Sequence, residues 1–267
     1  MVPPLIFEIP EPFDFALTTE RFRAFGVDRA SVWHEGGLHR VVGGREVRIE
    51  AAEGGVDVEP LDAETEPVVR RLLGLDFALE PFYAWTAGQP ELAPLAARFH
   101  GFRPSLSPDP FEMLVGAITS QQVSLFSALA IRNRMIERFG ERAELAWAFP
   151  TRERLAAARE EELLAVGFSR SKAAYVVGLA RAEIDLHALA ALPDDDVRAQ
   201  LTALHGIGAW TAEWFLARHL ARPNAWPAGD LALRKAVDPL DVEAARVRFH
   251  PFENLSAHYL LLSNRVP

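Results

Sequence analysis

The 267-residue sequence contains no cysteine, which excludes disulfides, thiolate nucleophiles and zinc or iron–sulfur sites built on thiolates. It has no apolar run near the roughly 18 residues that a membrane-spanning helix requires. Its first residues, MVPPLIFEIPEPFDF, carry acids where an export signal would carry bases. No membrane partner is expected, and the missing thiols agree with a cytoplasmic location. Basic charge is scarce too: 28 Lys and Arg stand against 37 Asp and Glu, a net charge of −9. Taken as a bulk property, that opposes binding to nucleic acid.

The distribution of charge weakens this objection. Residues 1–97 hold 8 basic against 17 acidic side chains and account for the whole −9, whereas residues 98–182 (12 against 9) and 183–267 (8 against 11) cancel. A neutral remainder with Arg-rich stretches can bind DNA with moderate, salt-sensitive affinity. With 49% apolar residues, the chain can fill a core divided among two or three lobes.

From Phe7 to about Pro60 the pattern is β-like, with Ser31-Val-Trp-His34 and Leu38-His-Arg-Val-Val42 separated by Gly36-Gly37 and followed by Gly43-Gly44. A short helix over Thr18–Phe25, capped by Thr18 or Thr19, and a second over Thr65–Leu73 would accompany the sheet. His34 and His39 flank a hairpin turn and are read as sheet-surface residues rather than metal ligands. From Leu92 onward helical periodicity takes over. Asp109 as N-cap and Pro110 at the first helical position start one helix. Thr119-Ser-Gln-Gln-Val-Ser124 interrupts it before a long helix, Leu125 to Phe139, that Gly140 ends. Short helices over Thr151–Ala158 and Glu160–Val166 precede Gly167-Phe-Ser-Arg-Ser-Lys-Ala-Ala-Tyr175, where Ser169 caps another. Arg170 and Lys172 can touch DNA or simply solvate that helix start. Asp194-Asp195-Asp196 fits capping and dipole compensation better than a metal cluster.

The most informative stretch runs from Asp194 to Asp230. It reads as a helix, a turn Gly206-Ile207-Gly208, a helix from Ala209 to about Leu220, and a Pro-rich loop delivering Asp230. The turn leaves N–H groups uncovered at the second helix's N-terminus, where the helix dipole favours a phosphate. Asp230 lies 22 residues after Gly208 and opens the run Leu231–Val237; an N-cap is its ordinary reading. Trp210 and Trp214, four residues apart, share a helix face, which suits core packing or a stacking pocket.

Leu201, Leu204, Gly206, Ile207, Gly208, Trp210, Thr211, Ala212 and Asp230 together match the pattern of the helix-hairpin-helix DNA glycosylases, which the chain resembles over roughly residues 100–265. The sheet-then-helices order of residues 1–95 extends the resemblance to the 3-methyladenine-DNA glycosylase II branch. It implies an α+β fold: a small antiparallel-sheet N-terminal domain (1–95) packed on a two-lobed, all-helical body (96–267), with the base pocket between the lobes. It implies a monomer acting on double-stranded DNA that contains damaged bases, releasing alkylated purines such as 3-methyladenine and 7-methylguanine after base flipping. Asp230 would be catalytic, and Trp210, Trp214 and Phe252 would line the base pocket with no Lys or Arg committed to the base. Gln122 would wedge into the duplex, where some relatives carry Leu, and Gly206, Gly208 and Thr211 would contact DNA. Backbone carbonyls of Thr202, Leu204 and Ile207 would hold a structural monovalent cation, Na or K. No cofactor is implied for catalysis, and the four-Cys cluster of some relatives is missing. Trp210 stands where strand-cleaving relatives carry a nucleophilic Lys, which implies a monofunctional enzyme. A non-catalytic hairpin module and a glycosylase for oxidised or deaminated bases are the alternatives. Release of alkylated bases from duplex DNA separates the three.

Overall fold

The computed structural model describes residues 6–266. Five strands, β1 (Ile6–Glu8), β2 (Ser31–His34), β3 (Gly37–Val42), β4 (Arg45–Ala52) and β5 (Gly55–Glu59), form one antiparallel sheet in the order β1-β5-β4-β3-β2. The β3–β4 hairpin closes on Gly43 (φ +54°) and Gly44 (φ +77°), both in the left-handed region that a two-residue turn matched to strand twist demands. Alternation turns Leu38, Val47, Ile49, Val56 and Val58 to one face, where Val69, Leu72 and Leu73 cover them. The first two belong to helix α2 (Thr65–Leu72), and α1 (Phe15–Thr18) also lies in this layer. The helix expected over Thr18–Phe25 is displaced: Asp14, not a Thr, caps α1 through Leu17 N–H (2.8 Å), and a 3-10 turn at Glu20–Phe22 follows. His39 is buried and pairs with Glu46 at 2.9 Å, so only His34 is an exposed sheet-surface histidine.

The rest is helical: α3 (Leu79–Thr86), α4 (Ala93–Arg98), α5 (Pro110–Ser120), α6 (Leu125–Phe139), α7 (Arg152–Ala156), α8 (Glu160–Ala165), α9 (Arg170–Arg181), α10 (Asp194–Thr202), α11 (Ala209–Arg218), α12 (Leu231–Ala236), α13 (Val242–Arg248) and α14 (Glu253–Ser263). Asp109 caps α5 by accepting Glu112 N–H at 2.7 Å, with Pro110 at the first position where no donor is needed. One core joins α5, α6, α9, α10 and α11. A second, mostly aromatic, packs Phe77, Phe82 and Phe99 around Tyr259 of α14, whose hydroxyl meets Tyr83 Oη at 2.7 Å and donates to the Phe102 carbonyl at 3.0 Å. The chain therefore changes cores at Leu75–Phe77, earlier than residue 95, because the aromatic face of α3 is matched to α14 and not to the sheet. Among the described residues, no helix is long and apolar enough to cross a membrane.

Charges hold the layers together. Arg40 of β3 donates to both Glu112 oxygens, one at 3.0 Å, and Arg132 of α6 joins Glu112 (2.6 Å) to Asp28. All but Asp28 sit in α5, α6 or β3. Both guanidinium groups hold the buried Glu112 carboxyl below the usual carboxylate range against the opposing effect of burial. Glu46 on β4 accepts three backbone N–H groups of residues 144–146 at 2.8–3.0 Å.

Candidate active site

Helices α10 and α11 form the hairpin, and its turn is set by steric necessity. Gly206 has φ +87°, and a Cβ there would fall 2.1 Å from Cγ of Tyr175, whose ring packs over the turn from α9. The Gly206 carbonyl accepts from Gln121 Nε2 at 2.9 Å, and the same amide reaches Thr211 Oγ1 at 3.4 Å. Gln121 thus ties the loop between α5 and α6 to the hairpin. Thr211 faces inward, 1% exposed, so its side chain serves this tie and is not presented to DNA as expected. Gly208 is exposed, caps α11 without a side chain, and a Cβ there would meet open space. That leaves the first N–H groups of α11 accessible to an anion.

Trp210 and Trp214 point along α11 to one carboxylate. Their indole Nε1 groups donate to Asp230 Oδ2 at 3.2 and 3.1 Å, while Asp230 Oδ1 accepts Ala232 N–H (2.9 Å) and Leu233 N–H (3.1 Å) at the start of α12. Asp230 is therefore an N-cap and also the acceptor of two indoles. The loop before it is pinned from α11: Glu213 joins Arg198 of α10 (2.6 Å) and accepts Trp226 N–H at 3.0 Å, and Trp226 Nε1 donates to the Val242 carbonyl. Asp194 pairs with Arg222 and Asp195 with Arg198, which accounts for two of the triple acid.

Two expectations about the pocket change. Arg218, one further turn along α11, lays its guanidinium over the Trp214 ring, Cζ 4.3 Å from the centroid; burial and the charges of Arg21 and Arg265 push its pKa well below the ordinary guanidinium range, against the pull of Asp230. The site is not free of fixed cations, and Trp214, 5% exposed, has that face covered. The i, i+4, i+8 spacing of Trp210, Trp214 and Arg218 was the signal that could have found it. Phe252, the N-cap of α14, packs its ring on Trp85 (5.2 Å) and Phe82 (5.7 Å), in the aromatic core; its ring pairs do not include Trp210 or Trp214. Trp210, half-buried, is the indole left with open surface.

Gln122 lies at the loop tip between α5 and α6, exposed, with φ +54°. Such a conformation costs a non-glycine residue about 1–3 kcal/mol and persists where the surroundings enforce it, often at functional sites. Exposed Val123, Leu125 and Phe126 adjoin it. Lys172 does not reach outward: its Nζ donates to the Thr119 carbonyl at 2.8 Å and anchors the end of α5. Thr202 closes α10, and Leu204 and Ile207 lie in the turn, where Ile207 N–H donates to the Leu204 carbonyl at 3.1 Å. No group of three His, Asp or Glu among the described residues is placed to hold a metal.

Comparison with known proteins gives one consistent result. Residues 115–246 match the family model of the HhH-GPD superfamily base excision DNA repair proteins. A DNA-3-methyladenine glycosylase of Bacillus subtilis is 33% identical over 167 residues, covering 60% of this chain and 55% of that one. DNA-3-methyladenine glycosylase 2 of Escherichia coli is 34% identical over 53% of this chain and 50% of its own. The chain thus spans about half the length of these curated relatives. The 3-methyladenine DNA-glycosylase structure from Archaeoglobus fulgidus superposes with a TM-score of 0.88 at 29% identity, over 98% of this chain and 99% of that one. An 8-oxoguanine glycosylase/lyase of Clostridium acetobutylicum shares the fold, with a TM-score of 0.80 at 18% identity over 95% of this chain and 92% of that one.

Proposed function

Since the chain belongs to the HhH-GPD superfamily of base excision DNA repair proteins, we propose that it is a DNA glycosylase hydrolysing the N-glycosidic bond of alkylated purines flipped out of duplex DNA. One observation carries the reading: a carboxylate, Asp230, immobilised by four donors beside the half-buried face of Trp210.

The geometry selects among roles for that carboxylate. An ionised carboxylate offers about four lone-pair positions, and protein donors occupy four. Asp230 is therefore poorly suited to take a proton from water and well suited to present a fixed negative charge. In this reaction positive charge develops on the deoxyribose as the base departs, and a preorganised anion stabilises it without reorganisation. The base must first leave the stack, at a cost of a few kcal/mol that is smallest for damaged pairs. Gln122, on its strained tip with exposed apolar neighbours, would fill the space left behind. Gly208 and the first N–H groups of α11 would hold a phosphate. The carbonyls of Thr202, at the end of α10, and of Leu204 and Ile207, in the turn that follows, are neutral oxygens. Such a donor set fits a monovalent ion bridging to phosphate better than a hard divalent one, and such an ion would be structural.

By the family resemblance Trp210 stands where strand-cleaving relatives carry a nucleophilic Lys, and Lys172, one of two lysines in the sequence, is engaged at Thr119. We therefore read the enzyme as monofunctional. The test is incubation with a duplex carrying one alkylated purine. Free base and an intact abasic strand, cleaved only by later alkali, are expected. No base release would overturn the reading, and a borohydride-trapped protein–DNA adduct would overturn its monofunctional part.

A further inference from the structure

Three guanidinium groups gather around Trp214. Arg218 lies over its ring, Cζ 4.3 Å from the centroid, and the charges of Arg21 and Arg265 both act on Arg218. Carboxylates do not match them. Arg265 pairs with Glu20 at 3.1 Å, but Arg21 reaches only the Ser105 carbonyl (3.3 Å), and Arg218 has no ion pair or side-chain hydrogen bond among the described residues. The other acids of the region are committed: Glu112 and Asp28 to Arg40 and Arg132, and Asp230 to four donors of its own.

Three buried polar atoms in the same region also lack a partner: Nε of Arg218, Oγ of Ser105 and Nε2 of His258 on α14, whose ring stands edge-on to Trp214 at 5.8 Å. Ser105 and His258 are 4% and 6% exposed. Each of the three can donate, His258 in the tautomer that carries its proton on Nε2, and none has an acceptor. Buried polar groups are overwhelmingly satisfied, and a buried charge without its counter-charge is strongly destabilising. Two guanidinium groups without carboxylates and three donors without acceptors require the same complement, a negatively charged acceptor.

We propose that the protein binds a small inorganic monoanion, of the chloride type, among Arg21, Arg218, Ser105 and His258, against Trp214. A halide suits this set because it accepts from several donors in any direction, whereas a phosphate or sulfate dianion would shed far more hydration to enter. Occupancy has a consequence for excision, which rests on the glycosylase reading. The Arg218 charge over Trp214 opposes a cationic purine that would stack on the indoles. An anion beside Arg218 offsets that charge and leaves Asp230 and the open surface of Trp210 to attract the cation. It would also draw the pKa of Arg218 back towards its ordinary range, against burial and the neighbouring guanidinium groups.

Crystals of the full chain grown in bromide test the site directly: an anomalous peak is expected beside Arg218 Nε and is lost in Arg218→Met. In solution, chloride is exchanged at constant ionic strength for gluconate, which is too large to enter. The melting temperature of the parent should fall by about 3 °C or more, and that of Arg218→Met should not respond. Ser105→Ala removes one donor and no charge, so it should need several-fold more chloride for the same melting temperature. Single-turnover release of 7-methylguanine at saturating enzyme should be about fivefold faster in chloride than in gluconate. No bromide peak, or equal melting temperatures in the two salts, would overturn the anion site. Bromide bound with equal release rates would overturn its effect on the base. If Arg218→Met does not fold, Ser105→Ala decides. A parent that releases no base in either salt would overturn the glycosylase reading, while the peak and the melting curves still decide the anion site.

Discussion

The sheet layer and the hairpin lobe use polar groups in opposite ways. In the sheet layer they are structural: Arg40, Glu112, Arg132 and Asp28 form a chain of ion pairs, buried at Arg40 and Glu112 and half-buried at Arg132 and Asp28, that joins two bodies with separate apolar cores. In the hairpin lobe they face a carboxylate that must stay charged, and the donors are indoles and backbone amides that cannot neutralise it by proton transfer. The first arrangement fixes where α5 lies, and hence where Gln121 and Gln122 emerge. The second fixes what can happen at Asp230. Disrupting the first should therefore show in stability and disrupting the second in chemistry.

The largest effect is expected from Glu112→Gln. It leaves two guanidinium groups without their shared carboxylate, and breaking a buried pair in this way costs about 3–5 kcal/mol. Thermal unfolding should register this as a drop on the order of 10 °C, while the excision rate of the remaining folded protein stays within a few-fold. An unchanged melting temperature would mean that the layers do not depend on this chain of charges.

Asp230→Asn tests the other side. The amide oxygen can still cap α12, but its NH₂ would confront two indole donors, so some stability is lost along with the charge. Excision should fall by about 10²–10³, with binding to an abasic-site analogue retained. Excision within tenfold of the parent would remove Asp230 from the chemistry.

Acid should weaken the contact between layers. His219 is buried, its Nδ1 3.0 Å from the Ser107 carbonyl and its ring beside Arg71 of α2; burial lowers its pKa to about 4. The unfolded chain takes up this proton near pH 6.5 and the folded one near 4. The stabilisation is thus complete above pH 6.5 and is lost as pH falls to 4, amounting to at most about 3 kcal/mol. His258, shifted the same way, adds to that slope. Urea unfolding at pH 7 and 4.5 should show the loss, and His219→Gln should flatten it; an identical slope in the variant would contradict the assignment.

The smallest effects separate two adjacent glutamines. Gln121→Ala removes the tie to Gly206 and should cost about 1 kcal/mol of stability, with binding to all DNA weakened similarly. Gln122→Ala should leave stability unchanged, or slightly alter it through its positive φ, and weaken binding to an abasic-site analogue more than to undamaged duplex. Equal losses on both DNAs for Gln122→Ala would make it an ordinary surface residue.

Much of the framework was legible because its causes are local. Asp109 and Pro110 at the start of α5, Gly140 after α6, Ser169 before α9 and the paired glycines of the sheet hairpins act within about four residues of themselves. The hairpin and the spaced Asp230 were legible for the same reason, the turn, the helix and the cap being consecutive. Reading failed where a partner lies far along the chain. Helix α1 shifted because Asp14 outcompeted the threonines as a cap, α3 changed cores because its aromatic partners lie on α14, and Phe252 went with them. Gln121 meets Gly206 across 85 positions, and Glu112 meets Arg40 across 72.

The sequence by itself determined the sheet followed by helices, the Gly206–Gly208 turn and the position of Asp230 at a helix start, since caps, turns and periodicity are short-range preferences of the backbone. Tertiary structure alone decided that both tryptophans would converge on one oxygen of Asp230 and that Arg218 would cover Trp214. It also decided that Thr211 would face Gln121 and not solvent. Which face of α11 meets α12, α14 and the loop of Gln121 depends on how four separate elements pack, and no window of the sequence contains them all.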